Sequence, residues 1–264
     1  MLSGKIGVTA ARNTSDSMSI ACIKQWAIQL DAIYIERPHN LDVQEVMHLY
    51  NLTALIVGEK NGPRIYNKYG SFAYHPGMAV LRILQLQRGQ TEYLPKALNI
   101  MAGSRVLDAT LGLAADAAIA AHVVGDTGCV VGLEASPLLY FAVSYGLKNY
   151  SAENKELVKA LRRIKTVQTF AADYLKQCRP GSFDVVYFDP MFRHPVVGAK
   201  GMEALRPLSY EASLDENTLK LALQIAPRVV IKERSENILK QYGCTEFIGG
   251  KYSRIKFGVI KGLC

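Results

Sequence analysis

Three carboxylates, Asp108, Glu134 and Asp189, each follow a short apolar run, and the first of them is followed at once by Thr110 and Gly112. Arg105-Val-Leu-Asp108, Ala-Thr-Leu-Gly112 and an Ala-rich stretch of helical length from Ala114 to Val124 read as strand, tight turn and helix. A turn of that kind sets free backbone N–H groups beside a helix N-terminus. Gly112 has no Cβ, so a ligand can come close to the main chain there. Asp108, Thr110 and Gly112 are therefore candidate contacts of a cofactor cradle.

The glycine count narrows the cofactor. A dinucleotide fingerprint needs G-x-G-x-x-G to seat a pyrophosphate, whereas this turn has Gly112, then Ala114, Ala115 and Asp116, and no P-loop Lys-Ser/Thr follows. Cys129-Val-Val-Gly-Leu-Glu134 reads as a second strand ending in an acid 22 residues beyond Gly112, a place from which a carboxylate can accept both ribose hydroxyls. A ribose acid without pyrophosphate glycines fits a nucleoside cofactor that carries no phosphates, of which S-adenosylmethionine is the commonest. Asp173, six residues past a third strand, is placed to accept from the adenine amino group; its alternative role is to cap a helix over Tyr174–Gln177.

Phe183-Asp-Val-Val-Tyr-Phe-Asp189-Pro190-Met191-Phe192 carries the chemistry. It resembles the (Asp/Asn)-Pro-Pro-(Tyr/Phe) motif of methyltransferases that act on exocyclic amino groups, with Met191 in the place of the second proline. An aromatic amine is a weak nucleophile because its lone pair is delocalised into the ring. A carboxylate at Asp189 and a carbonyl at Pro190, accepting its two N–H bonds, would push the nitrogen toward tetrahedral geometry and aim the lone pair. Phe192 would stack on the base. Arg193, His194, Lys200 and Arg206 follow on a loop expected to overhang the site, where they would hold an RNA backbone, or else form a solvated surface. Lys232, in Val-Val-Ile-Lys-Glu-Arg234, is a further candidate facing the substrate.

Strands and helices alternate from residue 105 onward, which implies parallel strands covered by helices on both faces. The expected strands are 105–108, 129–134, 163–167, 183–189, 229–232, 245–248 and 254–261, the last two spaced as a hairpin. The fold expected is therefore α/β, of the class I (Rossmann-like) methyltransferase type, with a seven-stranded, mostly parallel sheet and an antiparallel last strand. Residues 1–70 read as a small N-terminal α/β domain with strands at 5–9, 32–36, 54–58 and 64–67 and helices at 17–30 and 41–50. Thr14, Ser15 and Asp16 stand where an N-cap belongs, and Arg12-Asn-Thr-Ser15 is either an anion site or a capping turn. Residues 71–104 connect this domain to the one spanning 105–264, with a helix from Gly77 to Gln87. The aromatic stretch Tyr69–His75 is expected either to line the cofactor pocket or stack on a base, or to form a buried hinge.

Asp108-Ala-Thr-Leu-Gly-Leu-Ala-Ala-Asp116, Leu133-Glu134 and Asp189-Pro-Met-Phe192 with Lys200 resemble the bacterial small-subunit ribosomal RNA guanine-N2 methyltransferase J family over roughly residues 68–264. By that resemblance the cofactor, S-adenosylmethionine, would contact Ala115-Asp116, Glu134-Ala135, Ala172-Asp173 and Asp189, and the acceptor would be guanine N2 in ribosomal RNA. The family pattern has Gly-Arg where Ala114-Ala115 stand and a serine pair at Ala172-Asp173, and it spaces the stretch before Lys200 differently. These departures mark a sister branch, to which the exact target nucleotide does not carry over.

Composition agrees with an RNA partner. The 264 residues include 31 Lys and Arg against 23 Asp and Glu, a formal charge of +8, which suits a polyanion. Cys22, Cys129, Cys178, Cys244 and Cys264 are scattered without metal-ligand spacing, so no metal is expected and the thiols read as reduced. The N-terminus has no apolar run of signal or membrane-span length, which points to a cytoplasmic protein without a membrane partner. Two other functions remain open: methylation of a protein side chain or small molecule, and a non-catalytic RNA-binding or assembly factor that keeps the fold.

Overall fold

The computed structural model describes residues 4–12, 19–190 and 214–262. The chain runs β1 (Lys5–Ala10), α1 (Ile20–Gln29), β2 (Ile33–Tyr34), α2 (Val43–Leu49), β3 (Leu52–Glu59), β4 (Gly62–Asn67), β5 (Gly70–Ala73), α3 (Ala79–Gln87) and α4 (Tyr93–Leu98). It continues through β6 (Arg105–Asp108), α5 (Ala115–Val124), β7 (Cys129–Glu134), α6 (Pro137–Asn149), α7 (Lys155–Arg163), β8 (Ile164–Gln168), α8 (Ala171–Gln177) and β9 (Val185–Phe188). The last elements are α9 (Glu216–Ile225), β10 (Arg228–Glu233), α10 (Glu236–Gln241), β11 (Glu246–Ile248) and β12 (Lys256–Lys261). Two compact units result, and α6 belongs with the first.

In the first unit the sheet order is β2-β1-β3-β4-β5. β1 lies parallel to β2 and β3, and β4 and β5 turn back antiparallel. Helix α1 starts at Ser19, whose hydroxyl accepts from the Cys22 N–H, and α2 starts in a capping box between Asp42 and Glu45. Thr14, Ser15 and Asp16, expected as caps, lie outside the described residues, as do Asn13 to Ser15 of the suggested anion turn; Arg12 donates to the Leu41 carbonyl.

Trp26 of α1 meets Phe141 and Tyr145 of α6 edge-on, each at 5.4 Å between centroids. Such contacts add to the burial of three large rings. The stretch Tyr69–His75, expected as a loop, contains strand β5. The Asn67 side chain accepts from the Tyr69 N–H and tightens a turn, β5 pairs with β4, and Phe72 is buried opposite Ile65. Tyr74 and His75 pack their rings on Tyr150. Tyr74 also lies so close to Gly146 of α6 that a Cβ there would sit 1.9 Å from its ring.

The second unit is the class I layout expected from the sequence. Its seven strands run β11-β12-β10-β9-β6-β7-β8, and β12 alone is antiparallel to both of its neighbours. The buried strands β6, β7 and β9 read as continuous apolar runs, as strands covered on both faces must. Helix α5 is apolar nearly all round and buried along most of its length, whereas α7 buries only the stripe Leu157, Ala160 and Leu161. Helix α7 and helix α4 were not expected. Because α7 runs through Arg163, the third strand of this sheet starts one residue later than the sequence suggested. Strand β9 stops at Phe188, which leaves Asp189 and Pro190 just beyond its carboxyl end.

Candidate functional site

The site is built at the carboxyl ends of β6, β7 and β9, where open α/β sheets place ligands. Asp108 is in register with Gly132 on one side and Tyr187 on the other. Two residues further along each strand, Thr110, Glu134 and Asp189 reach the same level. The turn after β6 is stitched to both neighbours: Ala109 N–H donates to the Tyr187 carbonyl and Leu111 N–H to the Leu133 carbonyl, each at 2.9 Å. Thr110 ties the two acids together. Its N–H donates to Asp108 Oδ1 at 3.1 Å, and its Oγ1 accepts from the Asp189 N–H at 2.6 Å.

Gly112 and Ala114 both adopt left-handed backbone, at φ 49° and 59°. A Cβ added to Gly112 would find no atom nearer than Thr110 O at 3.9 Å, so the space before the turn is open. Ala114 pays the steric cost of that conformation with its methyl group buried. Glu134 closes β7 and is buried, with its own carbonyl accepting from Thr169 N–H. A buried carboxylate at the end of β7, an open glycine turn and a helix N-terminus at α5 together suit a phosphate-free nucleoside. Burial pushes the Asp108 carboxyl up to about 8, since the Thr110 N–H and the Lys232 charge only partly offset the loss of water.

Asp116, in the first turn of α5, is the centre of an ion network that the sequence did not reveal. Its Oδ1 accepts from Arg82 Nη1 of α3, and its Oδ2 accepts from the Tyr187 hydroxyl at 2.7 Å and from Lys232 Nζ at 2.9 Å. Arg82 also donates to Glu92, just before α4, at 2.7 Å. Lys232 makes its second contact with Asp189 Oδ2 at 2.8 Å. Burial opposes ionisation of Asp116, but the Lys232 and Arg82 charges prevail and hold it down at about 2. Asp189 receives only one of those cations. Burial, with the nearby Asp116 charge, leaves it raised to about 6 against the pull of Lys232. Both partners push Lys232 above its ordinary value despite burial, so it stays charged.

The other expected positions fall apart by location. Ala115 begins α5, Ala135 follows β7, and Ala172 and Asp173 lie in the first turn of α8. Asp173 is not an N-cap, because α8 begins at Ala171 behind Phe170. Its carboxylate is exposed and pairs with Lys176 at 3.2 Å. Pro190 follows Asp189 directly. Met191, Phe192, Arg193, His194, Lys200 and Arg206 lie outside the described residues. Arg82, Glu92 and Tyr187 were missed by sequence reasoning. Arg82 is one polar residue in an otherwise expected helix and Tyr187 one aromatic in an expected strand, and neither position marks an ion partner far along the chain. Among the described residues there is no cluster of three or more His, Cys, Asp or Glu fit to hold a metal ion, and no helix is long and apolar enough to cross a membrane.

The family model described as "Putative SAM-dependent methyltransferase" matches residues 72–257. The "Uncharacterized protein YpiP" of Bacillus subtilis (strain 168) is 34% identical over 214 residues, covering 81% of this chain and 82% of that protein. The "Ribosomal RNA small subunit methyltransferase J" of Cellvibrio japonicus is 33% identical over 156 residues, 54% of this chain and 57% of its own length. The chain thus spans little more than half the length of that relative. Among solved structures, the SAM-dependent methyltransferase NGO1261 from Neisseria gonorrhoeae is similar with a TM-score of 0.62 at 19% identity, covering 97% of this chain and 95% of that one. At that identity the likeness is one of fold.

Proposed function

The chain belongs to the SAM-dependent methyltransferase family and uses S-adenosylmethionine, and on that premise we propose that it methylates an exocyclic amine of ribosomal RNA, guanine N2. The observation that carries this reading is Asp189-Pro190 at the carboxyl end of β9, with its carboxylate held by Lys232 and its N–H held by Thr110. The name of the methyltransferase J relative and the +8 charge support ribosomal RNA as the substrate.

S-adenosylmethionine supplies a methyl group on a positively charged sulfur. Glu134 accepts the ribose hydroxyls, Asp173 the adenine amino group, and the main chain of the 108–116 turn, including Asp108, Thr110, Gly112 and Ala115, lies along the rest; Ala135 and Ala172 border it. Asp116, whose carboxylate accepts from Arg82, Tyr187 and Lys232, would meet the cofactor from the first turn of α5. Asp189 and the Pro190 carbonyl accept the two N–H bonds of the amine and concentrate its lone pair on nitrogen. Bound there, S-adenosylmethionine would give its methyl carbon to that lone pair and keep the C–S electron pair, and the methylated nitrogen would release its proton to water. A carboxylate has room for this, since an oxygen that accepts from Lys232 keeps a second lone pair and the other oxygen keeps two. Phe192 stacks on the base, and Met191, Arg193, His194, Lys200 and Arg206 contact the RNA.

Asp189→Ala is expected to abolish transfer of labelled methyl to ribosomal subunits while affinity for S-adenosylhomocysteine stays within a few-fold of wild type. Full activity in that variant would overturn the assignment.

A further inference from the structure

The β11–β12 hairpin turn stands at the active-site end of the sheet. Because β12 is antiparallel to β10, Phe257 is in register with Lys232 and Lys256 with Glu233. The turn that precedes Lys256 therefore rises one residue beyond the lysine that touches Asp189. It reads Gly249-Gly-Lys-Tyr-Ser-Arg-Ile255, and all of Lys251 to Arg254 is exposed.

The turn is held in shape by hydrogen bonds among its own residues and Lys256. Ser253 N–H donates to the Gly250 carbonyl at 3.0 Å, and Lys256 Nζ donates to the same carbonyl at 3.1 Å. The Ser253 hydroxyl accepts from Ile255 N–H and donates to the Ile255 carbonyl. Tyr93 packs on Gly250: a Cβ there would sit 3.5 Å from the Tyr93 ring. Tyr93 directly follows Glu92, which bonds Arg82 and, through it, Asp116. The turn is thus tied to the ion network on two sides.

This fixed turn presents an aromatic ring to water. Tyr252 is 89% exposed, more than any other large hydrophobic side chain among the described residues, and the Lys251 ammonium lies 5.5 Å from its ring centroid. Neither Lys251 nor Arg254 has an ion-pair partner among the described residues, and Glu246 at the start of β11 approaches Arg228 and Lys261. A turn with one exposed ring, a lysine ammonium over one of its faces and an arginine without an ion-pair partner among the described residues matches the chemistry of a single-stranded nucleic acid, in which a base offers a face and the adjoining phosphates offer charge.

We propose that the Gly249–Ile255 turn is an RNA-docking platform beside the methyl-transfer site, where Tyr252 stacks on an unpaired base flanking the target nucleotide and Lys251 and Arg254 hold its phosphates. This rests on the reading of the substrate as RNA.

The test is binding of a fluorescent single-stranded ribosomal RNA fragment to the full chain, measured without turnover, for wild type, Tyr252→Ala, Tyr252→Phe and the double variant Lys251→Ala/Arg254→Ala. Tyr252→Ala is expected to weaken binding about ten-fold, and Tyr252→Phe to retain it, since stacking needs the ring and not the hydroxyl. The double variant is expected to flatten the dependence of log Kd on log salt by about 1.4, two phosphates at ~0.7 each for a single strand. Unchanged melting temperature and S-adenosylhomocysteine affinity would assign these losses to the turn. Wild-type affinity and salt slope in all three variants would overturn the proposal. Binding without methylation by wild type would defeat the reading of the reaction and leave the platform to be judged on the variants.

Discussion

Lys232 Nζ lies 2.8 Å from Asp189 Oδ2, and the same ammonium lies 2.9 Å from Asp116 Oδ2. One largely buried cation thus bridges the carboxylate proposed to meet the amine and the carboxylate at the centre of the ion network. Without it, two acids would face each other across a poorly hydrated space.

Lys232→Met should therefore be costly. Removing one partner of a buried charge group leaves the others uncompensated, typically at about 3–5 kcal/mol, and among the described residues Arg82 would remain as the one cation bonded to Asp116. Urea unfolding of the variant should show that loss, and Asp116→Asn/Lys232→Met should recover part of it.

The same bridge sets a pH dependence. Asp189 is raised to about 6, and the proposed role needs its ionised form, so kcat/KM should fall about ten-fold per unit as pH drops below ~6. Lys232 lowers this value, so in any Lys232→Met protein that remains folded the acid limb should move to higher pH. A pH profile of methyl transfer for the two proteins checks both statements.

Asp108 gives the opposite kind of linkage, in stability. Its ordinary value is 3.8 and burial raises it to about 8, so the folded chain binds a proton that the unfolded chain has lost. The stabilisation is complete below pH ~4 and is lost as pH rises toward ~8. Asp108→Asn, which can still accept from Thr110 N–H, should remove this decline and be the more stable protein above pH 8. Urea midpoints measured across that range decide it.

Ala114 sits at φ 59° with its methyl buried. Glycine would relieve about 1–2 kcal/mol of left-handed strain, but it would lose about 0.5–1 kcal/mol through the freer unfolded chain and about 0.8 kcal/mol of methyl burial. Ala114→Gly should therefore fall within about 1 kcal/mol of wild type, which is why alanine is tolerated where the turn geometry favours glycine. A β-branched residue has no such compensation, and Ala114→Val should lower stability clearly in thermal unfolding.

The strand-end acids were legible from sequence because each closes an apolar run, and the parallel pairing of β6, β7 and β9 then leaves them little choice but to converge. The Asp-Pro step after β9 was legible for the same reason. The partners of Asp116 were not, since Arg82 and Lys232 lie 34 and 116 residues away and only tertiary packing brings them together. Strand β5 escaped notice because four residues, Gly-Ser-Phe-Ala, carry too short an alternation to distinguish a strand from a loop. Tyr252 in a Gly-rich turn reads from sequence as one more surface aromatic; that its turn stands at the Lys232 end of the sheet follows from the antiparallel register of β12.

The central claim is tested most directly by incubating ribosomal subunits from a strain lacking this protein with labelled S-adenosylmethionine and either wild type or Asp189→Ala, then digesting the RNA to nucleosides. The expected result is labelled N2-methylguanosine formed by wild type and absent with Asp189→Ala. Label that resists RNase and stays with protein, or equal label from both enzymes, would contradict it.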